Sequence, residues 1–346
     1  MKRSLVLAVT GLMLAGAGSA QAEYDNVNLK VIGTWGYLNQ WKEVEQPYWT
    51  ESLKAASDGR VTVDAKPMTD VGLKGFEVMR MLGLGVFDVA HGIISYLGED
   101  RVAEGIDLAG VVQDWNEARD VVASFREVLD HRFDQTYQVK LLGIYPFPAQ
   151  YMYCNTDVKG LGDLKGLKVR SYSKSMSDLI SGLGATPVTI AFGEVVPALQ
   201  LGTVDCAVTG NLPAYVSGWG KVTKSMVRLN TGYAFSYVAV SNNTWAKLNE
   251  ETRNLILAGV SEMERKAWEV AERDSALGVA CLTGGECALG EADKLTDVTL
   301  SASDNDLRKS VLENAVLASY AERCDEACIA DWNRSVGQAV GLEIRD

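Results

Sequence analysis

The chain has 346 residues, 47% of them hydrophobic, with 33 basic residues against 45 acidic ones and a net charge of −12. That length accommodates two packed lobes at roughly 100–200 residues each. The acidic balance argues against nucleic acid or an anionic membrane surface as partner, but not against a small anionic ligand, because one arginine inside a pocket outweighs a distant net charge.

The first element is an export signal. Lys2 and Arg3 precede the apolar run LVLAVTGLMLAGAG, and Ala20-Gln21-Ala22 forms a small-x-small cleavage pattern. Residues 1–22 therefore read as a signal peptide cut after Ala22, with a periplasmic mature protein. That protein keeps 31 basic and 45 acidic residues, a net charge of −14. No later apolar run approaches the roughly 20 residues of a membrane span, so no direct membrane insertion is expected.

NLKVIGTW (28–35) and RVTVDAKP (60–67) read as strands around an aromatic-rich helix over 40–57. Trp35 and Tyr37 directly follow the opening strand, at the kind of strand end where open α/β sheets bind ligands. Their rings suit stacking on a planar ligand. Trp41 and Trp49 follow helical spacing and read as core.

EVMRMLGLGVFDVA (77–90) predicts a helix, a glycine stop and a short strand, and the pattern returns as EVVPALQLGTVDCA (194–207). Glu77, Val78, Leu82, Leu84, Gly85, Asp88 and Ala90 each match a residue 117 positions later, with no gap. Two lobes on one α/β plan follow from this repeat. The duplicated Glu77/Glu194 and Asp88/Asp205 are expected to hold backbone or hinge geometry, since one ligand has no need of symmetric copies. Ser95 and Tyr96 follow the first copy as Thr209 and Asn211 follow the second, so symmetry nominates all four as cleft residues.

WNEARDVVASFREVLDHRF (115–133) places Ala118, Val121, Val122, Phe125, Leu129 and Phe133 on one helical face. VKLLGIYP (139–146) and QYMYCNT (150–156) are strands without an intervening helix, which suits a crossing between lobes. GYAFSYVAVS (232–241) crosses back. From Trp245 a long helical pattern carries the stripe Ile256, Val260, Met263, Ala267 and Val270. The expected division is lobe 1 over 23–148 with a return near 232–260, lobe 2 over 149–231, a long bracing helix over 245–285, and a C-terminal helical segment over 286–346.

Six cysteines in an exported chain invite disulfides. Cys281 and Cys287 flank a Gly-Gly turn, and Cys324 and Cys328 stand one helical turn apart; their three possible pairings stay open. Cys154 and Cys206, in apolar strand-like runs, read as buried thiols.

Catalytic chemistry is poorly supplied. The only histidines are His91, expected in a hydrogen-bonded structural role, and His131 on a polar helix face. No Gly-x-Ser-x-Gly elbow, phosphate-binding glycine loop or metal-spaced ligand cluster appears, so no enzyme, cofactor or metal is expected. A ligand-binding cleft between lobes needs only a charge and a shape. The charge is Arg170, at the C-terminal end of a predicted strand in LKGLKVRSYSKSM, with Tyr172 two residues on. Its guanidinium offers a planar fork to a carboxylate; by position alone, a surface ion pair is the equal alternative.

The run DLKGLKVRSYSKSMSDLISGLGATPVTIAFGEVVPALQLGTVDCAVTG (163–210) resembles the core motif of the solute-binding proteins of TRAP (tripartite ATP-independent periplasmic) transporters, and the likeness extends over roughly 28–285. The resemblance implies a two-lobed periplasmic-binding-protein-like α/β fold with a hinge cleft and a long helix spanning both lobes. It implies that Arg170 binds the carboxylate of an organic acid, that Phe192 lines the pocket, and that the partners are a small organic-acid ligand and an ion-gradient-driven TRAP permease. In sialic-acid and many dicarboxylate binders a second arginine stands where this chain has Gln150, and an asparagine often stands where it has Thr209. The expected ligand is therefore a monocarboxylate, aromatic or cyclic if Trp35, Tyr37 and Phe192 enclose it. The competing reading is an exported ligand-sensing or hydrolytic protein on the same scaffold, and the scarcity of catalytic groups argues against hydrolysis.

Overall fold

The computed structural model describes residues 23–345; the expected signal peptide, residues 1–22, lies outside the described residues. Among the described residues, eleven strands form two sheets. They are β1 (Val27–Gly33), β2 (Val61–Pro67), β3 (Val89–Ile93), β4 (Val139–Tyr145), β5 (Gln150–Cys154), β6 (Lys168–Ser171), β7 (Thr186–Thr189), β8 (Cys206–Gly210), β9 (Ser225–Val227), β10 (Ser236–Ser241) and β11 (Thr296–Val298). The first sheet has the order β2-β1-β3-β10-β4 and the second β11-β9-β5-β8-β6-β7.

The repeat explains the likeness of the two sheets. Its copies supply the short helices Val78–Gly83 and Val195–Gln200 and then β3 and β8. Each of these strands has one parallel neighbour, β1 or β6, and one antiparallel neighbour, β10 or β5. Gly85 and Gly202 turn the chain at φ 72° and 69°, a region L side chains avoid. Asp88 then accepts the Lys30 N–H at 2.8 Å while its own N–H donates to Lys30 O at 2.9 Å, and Asp205 does the same with Lys168 at 2.8 Å each. A carboxylate just before the strand thus extends the parallel β1–β3 and β6–β8 pairings by one residue in each lobe.

The chain passes between lobes over residues 146–149 and again over 228–235. The helix Glu250–Leu282 lies along both. Its predicted stripe, Ile256, Val260, Met263, Ala267 and Val270, is buried. Tyr48 of lobe 1 donates to Ile256 O at 3.1 Å, and Asn211 of lobe 2 donates to Ser275 O at 3.3 Å. At Gly278 a Cβ would fall 2.2 Å from the Leu212 backbone nitrogen, so only glycine permits this approach. The helix starts later than Trp245 because the Asn249 side chain caps it by accepting the Thr252 N–H at 2.8 Å; residues 242–247 form a separate short helix. The helix Trp115–Tyr137 buries all six residues of its predicted face, and one continuous apolar core runs through both lobes. No helix among the described residues is long and apolar enough to cross a membrane.

Cys154 and Cys206 are a disulfide, not thiols: antiparallel pairing of β5 with β8 sets them directly opposite, Cα to Cα 4.0 Å. Cys281 pairs with Cys287 and Cys324 with Cys328. The segment expected to be helical after 286 also adds β11 to the second sheet, parallel to β9.

His91 has the expected structural role. Its Nε2 accepts the Trp49 indole N–H at 2.7 Å and its Nδ1 lies 2.9 Å from the Tyr145 hydroxyl. Burial lowers its pKa and keeps the imidazole neutral.

Candidate functional site

Arg170 is the third residue of β6, between parallel β7 and β8. This central position buries its side chain to 1% exposure. Its Nε–H donates to Ile190 O at 2.9 Å and its Nη1 to Val208 O at 2.6 Å; its Nη2 donates to the Tyr96 hydroxyl of the other lobe at 3.3 Å. The Tyr172 ring lies 5.0 Å from the guanidinium carbon. A guanidinium has five N–H groups. Three are engaged, leaving one on each terminal nitrogen without a protein acceptor among the described residues. Among the described residues Arg170 forms no ion pair with a carboxylate. A buried cation without a counter-charge is costly, and an anion docked on the fork removes that cost.

Arg170 lines a small cavity between the lobes. Of the residues nominated from sequence, Trp35, Tyr96, Gln150, Arg170, Tyr172, Phe192 and Thr209 line it. Trp35 is the centre of an edge-to-face aromatic cluster, with ring centroids 5.3 Å from Phe192, 6.0 Å from Phe147 and 6.1 Å from Tyr96. Tyr37, Ser95 and Asn211 lie outside the lining. Tyr37 stacks on Phe192 from behind at 6.3 Å, and burial pushes its phenol up to about 12. Ser95 is buried beside Tyr96. Asn211 is taken up by the scaffold, accepting from the Tyr153 hydroxyl at 2.8 Å and donating to the long helix.

Leu38, Ile93, Phe147, Pro213 and Ala234 also line the cavity, beyond the residues expected from sequence. Four have no distinguishing chemistry in sequence; Phe147 carries a signal, an aromatic ring on the crossing between β4 and β5. Ala234 holds φ at +46° in the return crossing, which bends that segment against the cavity.

The cavity is neutral apart from Arg170. Burial raises the pKa of Tyr96 and of Tyr172, so both hydroxyls keep their protons. The Tyr172 and Thr209 hydroxyls engage no protein group among the described residues. Gln150 donates from Nε2 to Pro148 O at 2.7 Å, which orients the amide and leaves its oxygen as an acceptor. Just behind Ala234, burial pushes Asp107 up to about 7, and its Oδ2 has no hydrogen-bond partner.

The duplicated glutamates part company here. Glu77 holds its own loop, accepting the Lys74 N–H at 2.8 Å, whereas Glu194 reaches Lys74 Nζ across the cleft at 2.5 Å. Phe76, in the same loop as Lys74, stacks on Tyr96 at 4.3 Å.

A family model described as bacterial extracellular solute-binding protein, family 7, matches residues 39–283. The C4-dicarboxylate-binding periplasmic protein DctP of Rhodobacter capsulatus is 30% identical over 228 residues, 65% of this chain and 68% of that one. Among solved structures, DctP7 of Bordetella pertussis, an extracytoplasmic solute receptor binding pyroglutamic acid, superposes with a TM-score of 0.80 at 20% identity, covering 91% of this chain and 99% of that one. A TRAP periplasmic solute-binding protein of Desulfovibrio salexigens with bound orotic acid gives 0.79 at 17% identity, covering 90% and 99%.

Proposed function

Because the chain belongs to the bacterial extracellular solute-binding proteins of family 7, we propose that it captures a small cyclic monocarboxylate in the periplasm and delivers it to a TRAP permease driven by an ion gradient. The observation that carries the ligand class is the pair of free N–H groups on buried Arg170, the one charged group lining the cavity. One carboxylate docks there bidentately, and Tyr172, Thr209 and Gln150 meet the ligand's neutral polar atoms.

Several features support this reading. Gln150 stands on the crossing strand where a second arginine would receive a second carboxylate. Trp35, Phe147 and Phe192 offer ring edges and faces to a flat ligand. Pyroglutamic acid and orotic acid, bound by two structural neighbours, are both rings bearing one carboxylate. Capture proceeds by closure: Trp35 and Tyr96 come from lobe 1, Arg170 and Phe192 from lobe 2, and ligand shifts the open–closed equilibrium by bridging them.

A thermal-shift panel tests this. Binding to the native state alone raises stability by about 2.7 kcal/mol at a hundredfold excess over Kd. L-pyroglutamate, orotate, hydroxybenzoates or arylpyruvates are expected to raise the melting temperature more than succinate. Shifts with sugars or cations alone would refute the proposal.

A further inference from the structure

Beyond the residues matched by the family model, the C-terminal segment touches both lobes. Its helix Ala302–Val311 packs on lobe 2, where Asp304 accepts the Leu161 N–H at 2.8 Å and Val311 lies against Gly182. Its helix Glu326–Trp332 packs on lobe 1, where the Trp332 indole N–H donates to Gly105 O at 2.9 Å. Arg323 lies between the two.

The Arg323 guanidinium divides its donors. Nη2 donates to Glu104 Oε2 of lobe 1 at 2.9 Å, and Nη1 donates to Asp178 Oδ2 of lobe 2 at 2.9 Å. The other Glu104 oxygen, Oε1, crosses the lobes itself and accepts the Ser175 N–H at 2.6 Å. Ser175 is the second residue of the helix Lys174–Gly182, so that N–H has no partner within the helix. A carboxylate at a helix N-terminus is also favoured by the dipole. The groups are well shielded, with side-chain exposures of 5% for Glu104, 12% for Asp178 and 24% for Arg323. Solvent screening is correspondingly weak.

The backbone at Arg323 is fixed to lobe 1. Arg101 donates to Arg323 O at 2.9 Å and to Asp325 Oδ2 at 3.2 Å, and the Cys324–Cys328 disulfide closes the turn that follows. At Gly105 a Cβ would fall 2.6 Å from the Tyr320 hydroxyl, so the segment sits directly on the backbone next to Glu104. The helix it holds continues from β6, the strand that carries Arg170, while lobe 1 supplies Tyr96 to the same guanidinium. The Glu104–Arg323–Asp178 link thus joins the helix that follows the Arg170 strand to the lobe that supplies Tyr96.

We propose that Arg323 is a positioning residue for ligand capture: it pins the two lobes together from the C-terminal segment and sets how far the ligand-free protein closes, without touching the ligand. This goes beyond the ligand assignment above and can be tested with no ligand known. Two measurements on the full ligand-free chain are sufficient, amide exchange at Ser175 and the radius of gyration by small-angle scattering. Arg323→Gln is expected to speed Ser175 exchange about tenfold, with amides of β1 unchanged, and to enlarge the radius of gyration. Arg323→Lys, which keeps the charge but serves one carboxylate at a time, is expected to give a smaller change of the same sign, and it decides alone if the glutamine variant does not fold. Wild-type protection at Ser175 in the folded variants would overturn the proposal. So would faster exchange spread equally over Ser175 and β1, the signature of general destabilisation.

Discussion

Replacing Arg170 with lysine keeps the positive charge and removes the fork. The native guanidinium spends three N–H groups on Ile190 O, Val208 O and the Tyr96 hydroxyl, and one N–H on each terminal nitrogen remains for a ligand. A lysine ammonium has three donors on one atom and no planar pair. If it stays among the carbonyls it offers a carboxylate one bond; if it turns to the ligand it strands at least one carbonyl. Hydrogen bonds to charged groups contribute about 1.5–3 kcal/mol each, and an unsatisfied buried acceptor costs about 1–3 kcal/mol. Losing one bond with partial rearrangement therefore weakens binding by about 2–4 kcal/mol, roughly thirtyfold to several hundredfold in Kd. The assay is isothermal titration of wild type and Arg170→Lys with the acid giving the largest thermal shift. An unchanged Kd in a folded Arg170→Lys protein would refute the carboxylate clamp.

Gln150→Arg places a second cation on the crossing strand and is expected to shift preference towards dicarboxylates, read as a larger thermal shift with succinate; no change in ranking would count against the role assigned to Gln150. Burial, the main cause, raises Asp107 to about 7 from an ordinary carboxylate value of 3.8, so the folded state holds its proton more tightly than the unfolded chain. Its stabilising contribution is full below pH 3.8 and is lost as pH rises through 7, about 4 kcal/mol in all; Asp107→Asn is expected to flatten the fall in melting temperature between pH 5 and 7.5. Replacing Cys154 and Cys206 together with alanine opens a closure of sequence separation 52 and is expected to destabilise lobe 2 by about 4 kcal/mol, measured by denaturant midpoint. Lys74→Ala removes the exposed pair across the cleft mouth and is expected to speed ligand release at low salt, with the difference vanishing at high salt; a salt-independent difference in stopped-flow release would point to another cause.

Local periodicity made much of the fold legible. The faces of the helices Trp115–Tyr137 and Glu250–Leu282 could be read because burial repeats every three or four residues. The repeat at 77–90 and 194–207 could be read because both copies meet one local demand, a glycine with positive φ and an aspartate that starts the pairing with the neighbouring parallel strand. Glu77 and Glu194 show the limit of that reasoning. Equivalent positions of the repeat, they differ because only Glu194 faces a lysine from the other lobe. Symmetry likewise nominated Ser95 and Asn211 beside Tyr96 and Thr209, but orientation around the cavity separates each pair.

Sequence by itself determined the α/β class, the paired lobes, the single arginine at the end of β6, and the shortage of catalytic groups, all of which depend on residue type and short-range spacing. The tertiary structure decided which cysteines pair, which aromatics enclose the cavity, and which donors of Arg170 stay free. Those answers depend on partners far away in the chain: 20, 38 and 74 residues for Arg170, and 52 for Cys154. Such partners are brought together by strand pairing and lobe closure, which no local pattern encodes.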